Sequence, residues 1–416
     1  MSAAPQLNSQ GSQHPVLRVA IVGCGVIGRT HAKAVRATPE LEVTALVDVI
    51  PEAADALAQS IEDGGSPRPA IFSSLTELLG NGNVEVVVLA TPSGLHIQQA
   101  LDVLAAGRHV IIEKPLDASM ERSSEILAAA RAAEAKGLVA TVISQHRFDQ
   151  ASIAVDEAVR EGRLGRLTSA IASVSWWRTQ RYYDSGAWRG TWAMDGGGAV
   201  MNQGVHTVDL LLWFLGRPIE ISAKTALLAH ENIEVEDTAV ATLTFESGAL
   251  AVLHATTAAY PGLTVRLQVM GSQGSAVIDN DRLEYFHAAD AAPAAAGGNM
   301  GLLGGGNQAP EELAKYAGTP EEETLDPTVY PAGHIRQYRD IVDAIHAGRP
   351  AGVTVRDALT ALATVRALYV SATLGQPVLI DDVLAGKYND VAVRTGTGQA
   401  EDMPPRPPYP AAGTPE

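Results

Sequence analysis

Between Val16 and Val142 short apolar runs alternate with stretches of helical periodicity, the pattern of βαβ units around a parallel sheet. VLRVAIV, EVTALVD, VEVVVLA, RHVIIE and LVATVI read as strands buried on both faces. Pro51–Ser60, His96–Ala106 and Ser119–Lys136 carry apolar positions at helix spacing, with Pro51 and Ser119 placed to start their helices. Beyond a linking helix expected at Asp149–Glu161 the texture changes. In Leu263–Val269 apolar residues alternate with Thr264, Arg266 and Gln268, the period of a sheet with one wet face. Ile219–Leu228, Ala239–Phe245 and Ala249–Thr257 fit the same sheet, with Glu246–Gly248 as a turn.

The pattern predicts an α/β protein. A doubly wound parallel sheet spans residues 16–148, and an α+β domain with an open, mostly antiparallel sheet spans 149–386. Residues 288–331, rich in Ala, Gly, Pro and Glu, read as a surface insertion over a cleft or an interface. Helical spacing returns at His334–His346 and Val355–Leu374. Residues 1–15 and 387–416 read as tails, the second ending in a proline-rich stretch expected to be disordered.

With 416 residues, 46% hydrophobic and 19% charged, the chain has ample side chain for two cores, which excludes bulk disorder. Lys plus Arg number 30 against 47 Asp plus Glu, so 30 − 47 = −17, a charge that repels phosphate backbones and anionic lipid. Cys24 is the only cysteine, so no intrachain disulfide or thiolate cluster forms. Met1–Pro15 lacks a signal-peptide pattern, and Val84–Ala90 and Leu210–Leu215 fall far short of the roughly 20 apolar residues of a membrane span. A cytoplasmic protein with a small-molecule substrate, without nucleic acid or membrane partners, is expected.

Gly23-Cys24-Gly25-Val26-Ile27-Gly28 lies directly between the first strand and a helical stretch, the context that a dinucleotide-binding loop requires. Bare backbone at Gly25 lets a pyrophosphate reach the helix N-terminus, where free N–H groups favour anions. Asp48, twenty residues after Gly28, ends the next strand, where a carboxylate accepts hydrogen bonds from the adenosine ribose. Val49-Ile50 bring no arginine for a 2′-phosphate, so NAD is favoured over NADP. Glu113-Lys114-Pro115 ends another strand at a carboxyl edge, where Lys114 can meet both nicotinamide and a substrate hydroxyl; the alternative is an ordinary surface turn. Gly196-Gly197-Gly198 leads into AVMNQGVHTVDLLLWFLG, a helix on which Asn202 and His206 share a face and Asp209 lies close enough to orient the imidazole. Taken alone, a histidine on so apolar a helix is more often a satisfied core residue than a catalyst.

Together GCGVIG, TPSGLH, EKP and GGGAVMNQGVHTVDLLLWFLG, in this order, resemble the glucose-fructose oxidoreductase, inositol dehydrogenase and rhizopine catabolism family, known as Gfo/Idh/MocA. The resemblance runs from about Val16 to Asp381. It implies a Rossmann domain, then an open mixed sheet whose face is often used for oligomerisation, and reversible hydride transfer between NAD(P) and a hydroxyl of a sugar, cyclitol or related ring. It places Lys114 and His206 at the reacting hydroxyl, and Thr91, Pro92 and His96 beside the cofactor with Glu113. In the inositol dehydrogenase branch an aspartate stands four residues before the histidine, whereas this chain has Asn202, which cannot take a proton. The base is then His206 or Lys114, and an asparagine here resembles sugar 3-dehydrogenase branches.

Of the chain's aromatic residues, five Trp, ten Tyr and five Phe, six lie between Trp176 and Trp192, interleaved with Arg178, Arg181 and Arg189. Rings such as Trp188 and Trp192 can stack on sugars while guanidiniums such as Arg178 bind hydroxyls or carboxylates; the cluster equally suits a core or a subunit contact. Arg147 follows the last parallel strand, either facing the cleft or forming an ion pair. His31, His146, His254 and His334 have no evident partners, and no metal-ligand spacing such as HExxH occurs. The expectation is an NAD-dependent oxidoreductase of a secondary ring hydroxyl in a sugar or glycoside, with C3 the favoured carbon. Cyclitol oxidation, glycoside cleavage through transient oxidation by bound NAD, and non-catalytic NAD sensing stay open. A broad sheet face and the Trp-rich segment favour a homo-oligomer.

Overall fold

The computed structural model describes residues 15–289, 306–316 and 331–395. Six strands form the first sheet: β1 (Leu17–Val22), β2 (Leu41–Val47), β3 (Ala70–Phe72), β4 (Val86–Leu89), β5 (His109–Ile112) and β6 (Ala140–Val142). Their order is β3-β2-β1-β4-β5-β6, and every pair is parallel. All four residues of β4 are buried, as expected of a strand with helices on both sides. The order reverses between β1 and β4, so the carboxyl ends of these strands open the crevice where such sheets bind ligands.

Differences from the sequence pattern are local. Strand β3 was not expected; it is three residues long, mostly exposed at the sheet edge, and carries no apolar alternation. The helix expected from Ser119 begins at Ser123, because Ser119 N–H instead closes a turn onto Asp117 (3.0 Å). The helix Leu75–Asn81, capped by the Ser74 hydroxyl, was also not expected.

The second sheet has eight strands: β7 (Leu167–Ser175), β8 (Pro218–Ala226), β9 (Thr238–Phe245), β10 (Leu250–Thr256), β11 (Val265–Gly271), β12 (Gly274–Asp279), β13 (Arg282–Ala288) and β14 (Val378–Leu379). The order is β13-β12-β11-β7-β10-β9-β8-β14, antiparallel except for the parallel pair β7–β10. On β10 Ala251, Leu253 and Ala255 are buried in the core cluster that also takes in the helices Val205–Leu215 and Val355–Leu374, while Leu250 and Val252 face outward.

The chain does not divide at one point. The helix Ala332–Ala347 returns to the first sheet, where Ile335, Tyr338 and Ile341 share a core cluster with β1 and the helix Val26–Arg36. Gln337 completes the open edge there, donating to Val142 O (2.8 Å) and accepting from Ser144 N–H (3.0 Å). Of the expected insertion, only Ala288, Ala289, residues 306–316 and Pro331 fall within the described residues; Glu312, in the helix Ala309–Leu313, pairs with Arg163 (2.6 Å). The expected tail from residue 387 starts instead as packed chain, since Tyr388, Val391 and Val393 lie against the core. No described helix is long and apolar enough to cross a membrane.

Candidate active site

The glycine turn after β1 is built around an open space. An added Cβ at Gly25 meets nothing within 4 Å, whereas at Gly28 it would lie 2.0 Å from Gly23 O, the close approach that packs helix against strand. Gly23 itself has φ +98. Around this space stand Val26 (72% exposed), Ile27, Val49 (87%) and Ile50, apolar side chains left facing outward. Asp48 receives Cys24 N–H (2.7 Å) and Ile50 N–H (2.9 Å), which hold its carboxylate at the rim. An open helix N-terminus, a fixed carboxylate and an uncovered apolar rim fit a dinucleotide.

Of the other expected cofactor residues, His96 meets the backbone while Thr91 and Glu113 meet side chains. The His96 ring is buried and bridges Thr91 O and Pro115 O (both 2.8 Å), tying the Thr91-Pro92 turn to the EKP turn. Thr91 Oγ1 donates to Gln99 (2.6 Å). Glu113 is buried and turned toward the helix Val26–Arg36, where His31 Nε2 meets it at 3.0 Å and His31 Nδ1 meets Tyr338 Oη at 2.9 Å. Glu113 thus braces the EKP turn against two helices. Burial opposes its charge, but the His31 hydrogen bond together with electrostatic attraction from His31, Lys114 and His334 outweighs this and holds the carboxyl down at about 2.

Lys114 and His206 line one small cavity at the carboxyl ends of β5 and β6, with Leu116, Ser144 and Val205. Lys114 Nζ donates to Asn202 O (3.2 Å). Burial depresses its pKa; Glu113 and Asp195 oppose that, while Arg178 and Arg189 add to it. Neither ring nitrogen of His206 has a hydrogen-bond partner among the described residues. Burial, and after it the charges of Lys114, His146 and His334, push its pKa well below 6.5, so the ring is a neutral acceptor at neutral pH.

The segment before His206 is not the regular helix that the spacing suggested. Ala199–Gly204 forms a π-helical turn that passes into the α-helix Val205–Leu215. The turn is fixed by Glu236, whose buried carboxyl accepts from Gly198 N–H, Val200 N–H and Tyr369 Oη (all 2.9 Å). Glycine is needed here because a Cβ at Gly198 would lie 1.8 Å from Glu236 O, and one at Gly197 2.2 Å from Tyr369 Oη. The Asn202 amide donates to Asp195 (3.0 Å) and Gly197 O (3.1 Å), which leaves its oxygen as an acceptor.

Three expectations change. Asp209 does not orient His206: it takes a two-pronged ion pair from Arg147 (2.6 and 2.7 Å) and a hydrogen bond from Ser144 Oγ. Arg147 is accordingly buried and pins the His206 helix to the end of β6 rather than facing the cleft. Trp192 lies edge-on to Tyr369, with ring centroids 5.0 Å apart, against the core. Arg178 and Trp188 belong to a half-buried aromatic cluster described below.

His146 is the neighbour that the sequence did not reveal. Its ring meets His206 edge-on at 5.1 Å, while its Nδ1 meets Asp149 (2.8 Å) and Asp281 (3.1 Å). Burial opposes a charge on His146, yet these two carboxylates raise its pKa to about 10. The cluster brings three possible ligand atoms within 4.8 Å without a recognisable spacing, because Asp281 arrives from the β12–β13 turn.

A parallel nucleotide-binding sheet with a Lys-His pair at its carboxyl edge, joined to an open sheet, defines a two-domain oxidoreductase. Residues 17–142 match the oxidoreductase family with an NAD-binding Rossmann fold, and residues 153–277 match the GFO/IDH/MocA C-terminal domain. The chain belongs to this family, and the open turn Gly23–Gly28 lies within the matched NAD-binding Rossmann fold.

The WlbA dehydrogenase of Bordetella pertussis, solved in complex with NADH and UDP-GlcNAcA, is 31% identical; the alignment covers 88% of this chain and 98% of that one, with a TM-score of 0.74. The corresponding enzyme of Chromobacterium violaceum, with the same two ligands, is 30% identical over 90% of this chain and 99% of that one, with a TM-score of 0.73. Inositol 2-dehydrogenase of Rhizobium meliloti is 27% identical over 270 residues, 64% of this chain and 76% of that protein.

Proposed function

We propose that the protein is an NAD-dependent dehydrogenase acting reversibly on a secondary ring hydroxyl of a sugar or glycoside, with C3 the favoured carbon. The observation that carries this is the pairing of Lys114 with an unbonded, neutral His206 on one cavity at the carboxyl edge of the NAD-binding sheet. Bound NAD supplies the two-electron acceptor. His206 takes the hydroxyl proton, and Lys114 donates to the same oxygen and stabilises the charge developing there. Asn202 offers its free amide oxygen to a neighbouring hydroxyl and so orients the ring. The two relatives that hold UDP-GlcNAcA beside NADH support a sugar ring. A cyclitol is the second reading, favoured by the likeness to inositol 2-dehydrogenase.

The test is NADH formation from NAD with a panel of sugars, glycosides and cyclitols. Lys114→Met and His206→Phe are each expected to lower kcat about 10²- to 10⁴-fold while NADH binding, read by fluorescence, stays intact. Wild-type turnover in both variants would remove the pair from the chemistry. Glycoside cleavage without accumulating NADH would move the protein to the cleaving class.

A further inference from the structure

Arg178 and Arg189 are held in a way that ion pairs do not explain. The Arg178 guanidinium lies over Trp176 (5.0 Å) and Tyr182 (4.7 Å); that of Arg189 lies over Tyr182 (4.5 Å) and Trp188 (4.4 Å). Tyr182 therefore serves both cations. Stacking uses the face of a guanidinium and leaves its in-plane N–H donors free to meet an acceptor. Arg189 spends one donor on Tyr182 Oη (2.9 Å). The Arg178 side chain makes no hydrogen bond or salt bridge among the described residues, and its Nε is fully enclosed without a partner. A buried donor left unpaired is expensive and marks a group waiting for an acceptor.

Both guanidiniums are close enough to Lys114 to act on its ammonium. The carboxylate beside them, Asp195, is already used by Gly190 N–H (2.7 Å) and Asn202. Arg189 precedes Gly190, whose N–H holds Asp195, and that carboxylate is joined through Asn202 to Lys114, so the two guanidiniums lie on the Lys114 side of the site in a chain whose net charge is −17. The position is also rigid: Arg178 N–H donates to Thr257 O (2.9 Å), and Arg178 O meets His230 Nε2 (2.8 Å).

We infer that Arg178 and Arg189 form an oxyanion subsite on the Lys114 side of the site, and that the ring oxidised there carries a carboxylate or phosphoryl substituent. The inference rests on the dehydrogenase reading for the word "oxidised" and on the unpaired Arg178 guanidinium, stacked with Arg189 about Tyr182, for the anion. Stacked, unneutralised guanidiniums present the planar fork that suits either group. The ring hydroxyl then meets Lys114 and His206, while its charged substituent fixes which carbon faces them.

The experiment compares hexoses with the matching hexuronates and hexose 6-phosphates, in gluco, galacto and manno configurations. It reads NADH formation, and binding by calorimetry in the presence of NAD. A charged series is expected to exceed the neutral one in kcat/KM, and the better of the two identifies carboxylate or phosphoryl. Arg178→Gln is expected to shrink that preference about 10- to 100-fold, mainly by raising KM for the charged member. Arg178→Lys, which keeps the charge but loses the fork, should fall between. Arg181→Gln, an exposed change in the same segment, serves as the control and should keep the preference.

NADH fluorescence titration confirms that each variant is folded. Oxidation of hexoses and charged sugars with equal efficiency would overturn the subsite and leave the dehydrogenase reading standing, as would Arg178→Gln with an unchanged ratio. Charged sugars that bind through Arg178 without any NADH formation would uphold the subsite and overturn that reading. No binding and no turnover of any charged sugar would overturn the subsite.

Discussion

The chain contains two glycine-rich turns that lead into helices, Gly23–Gly28 and Gly196–Gly198, and they have opposite fates. At the first, a Cβ on Gly25 would meet nothing, and apolar Val26 is 72% exposed beside it. At the second, the space is already filled: Glu236 occupies the helix entrance, and its carboxyl receives the N–H groups of Gly198 and Val200. Both turns have glycine because another group comes close to the backbone. In the second that group is part of the chain; in the first the space stands open, and we propose NAD as the group that enters it. A glycine run before a helix therefore signals a close approach, and only the surroundings say whose.

Alanine substitution should separate the two turns most sharply. Gly198→Ala forces a Cβ onto Glu236 O and should destabilise the fold by about 3 kcal/mol, read as a lower urea midpoint with lost activity. An unchanged midpoint would mean that the second turn is as open as the first. Gly25 has φ −71, which alanine adopts freely, so Gly25→Ala should leave the cofactor-free protein within about 0.5 kcal/mol of wild type. Its Cβ fills the pyrophosphate approach, however, and NADH affinity should fall about tenfold or more, near 1.4 kcal/mol, by fluorescence titration. Undiminished affinity would remove Gly25 from the cofactor site.

The first turn was legible in the sequence and the second only half so, for a physical reason. Strand, glycines, helix and Asp48 lie within one βαβ unit, so local spacing carries the whole site. The second depends on partners far along the chain: Glu236 lies beyond β8, and Tyr369 is in the helix Val355–Leu374. The same holds for Asp209, whose nearness to His206 in sequence suggested a pair. Arg147, 62 residues away, claims its carboxylate, because a buried guanidinium needs a two-pronged partner. The His31–Glu113 contact, 82 residues apart, and the His31–Tyr338 contact, 307 apart, leave no local pattern at all. The strands β8, β9, β10 and β11 were readable from their apolar periods, whereas β3 and the π-helical turn, set by an edge and by a long-range carboxyl, were not, and neither were β7, β12 and β13.

Glu236→Gln tests the comparison most finely. Burial pushes the Glu236 carboxyl up to about 7 from its ordinary 4.5, against the pull of its three hydrogen-bond donors. Between those two values the folded protein holds a proton that the unfolded chain has released, so wild-type stability falls as pH rises and levels off above about 7. Glutamine has no such proton, and the variant lacks this contribution to the slope. At the acid end wild type should be the more stable by about 1 kcal/mol, because the glutamine amide faces Gly198 N–H, Val200 N–H or Tyr369 Oη with a donor of its own. Toward pH 8 the gap should close and then reverse in favour of glutamine, as read by urea denaturation of both proteins at pH 5 and pH 8. A gap that widens instead would mean that these donors hold the carboxyl as an anion, and the second turn would then be an anion site like the first, with its ligand built into the chain.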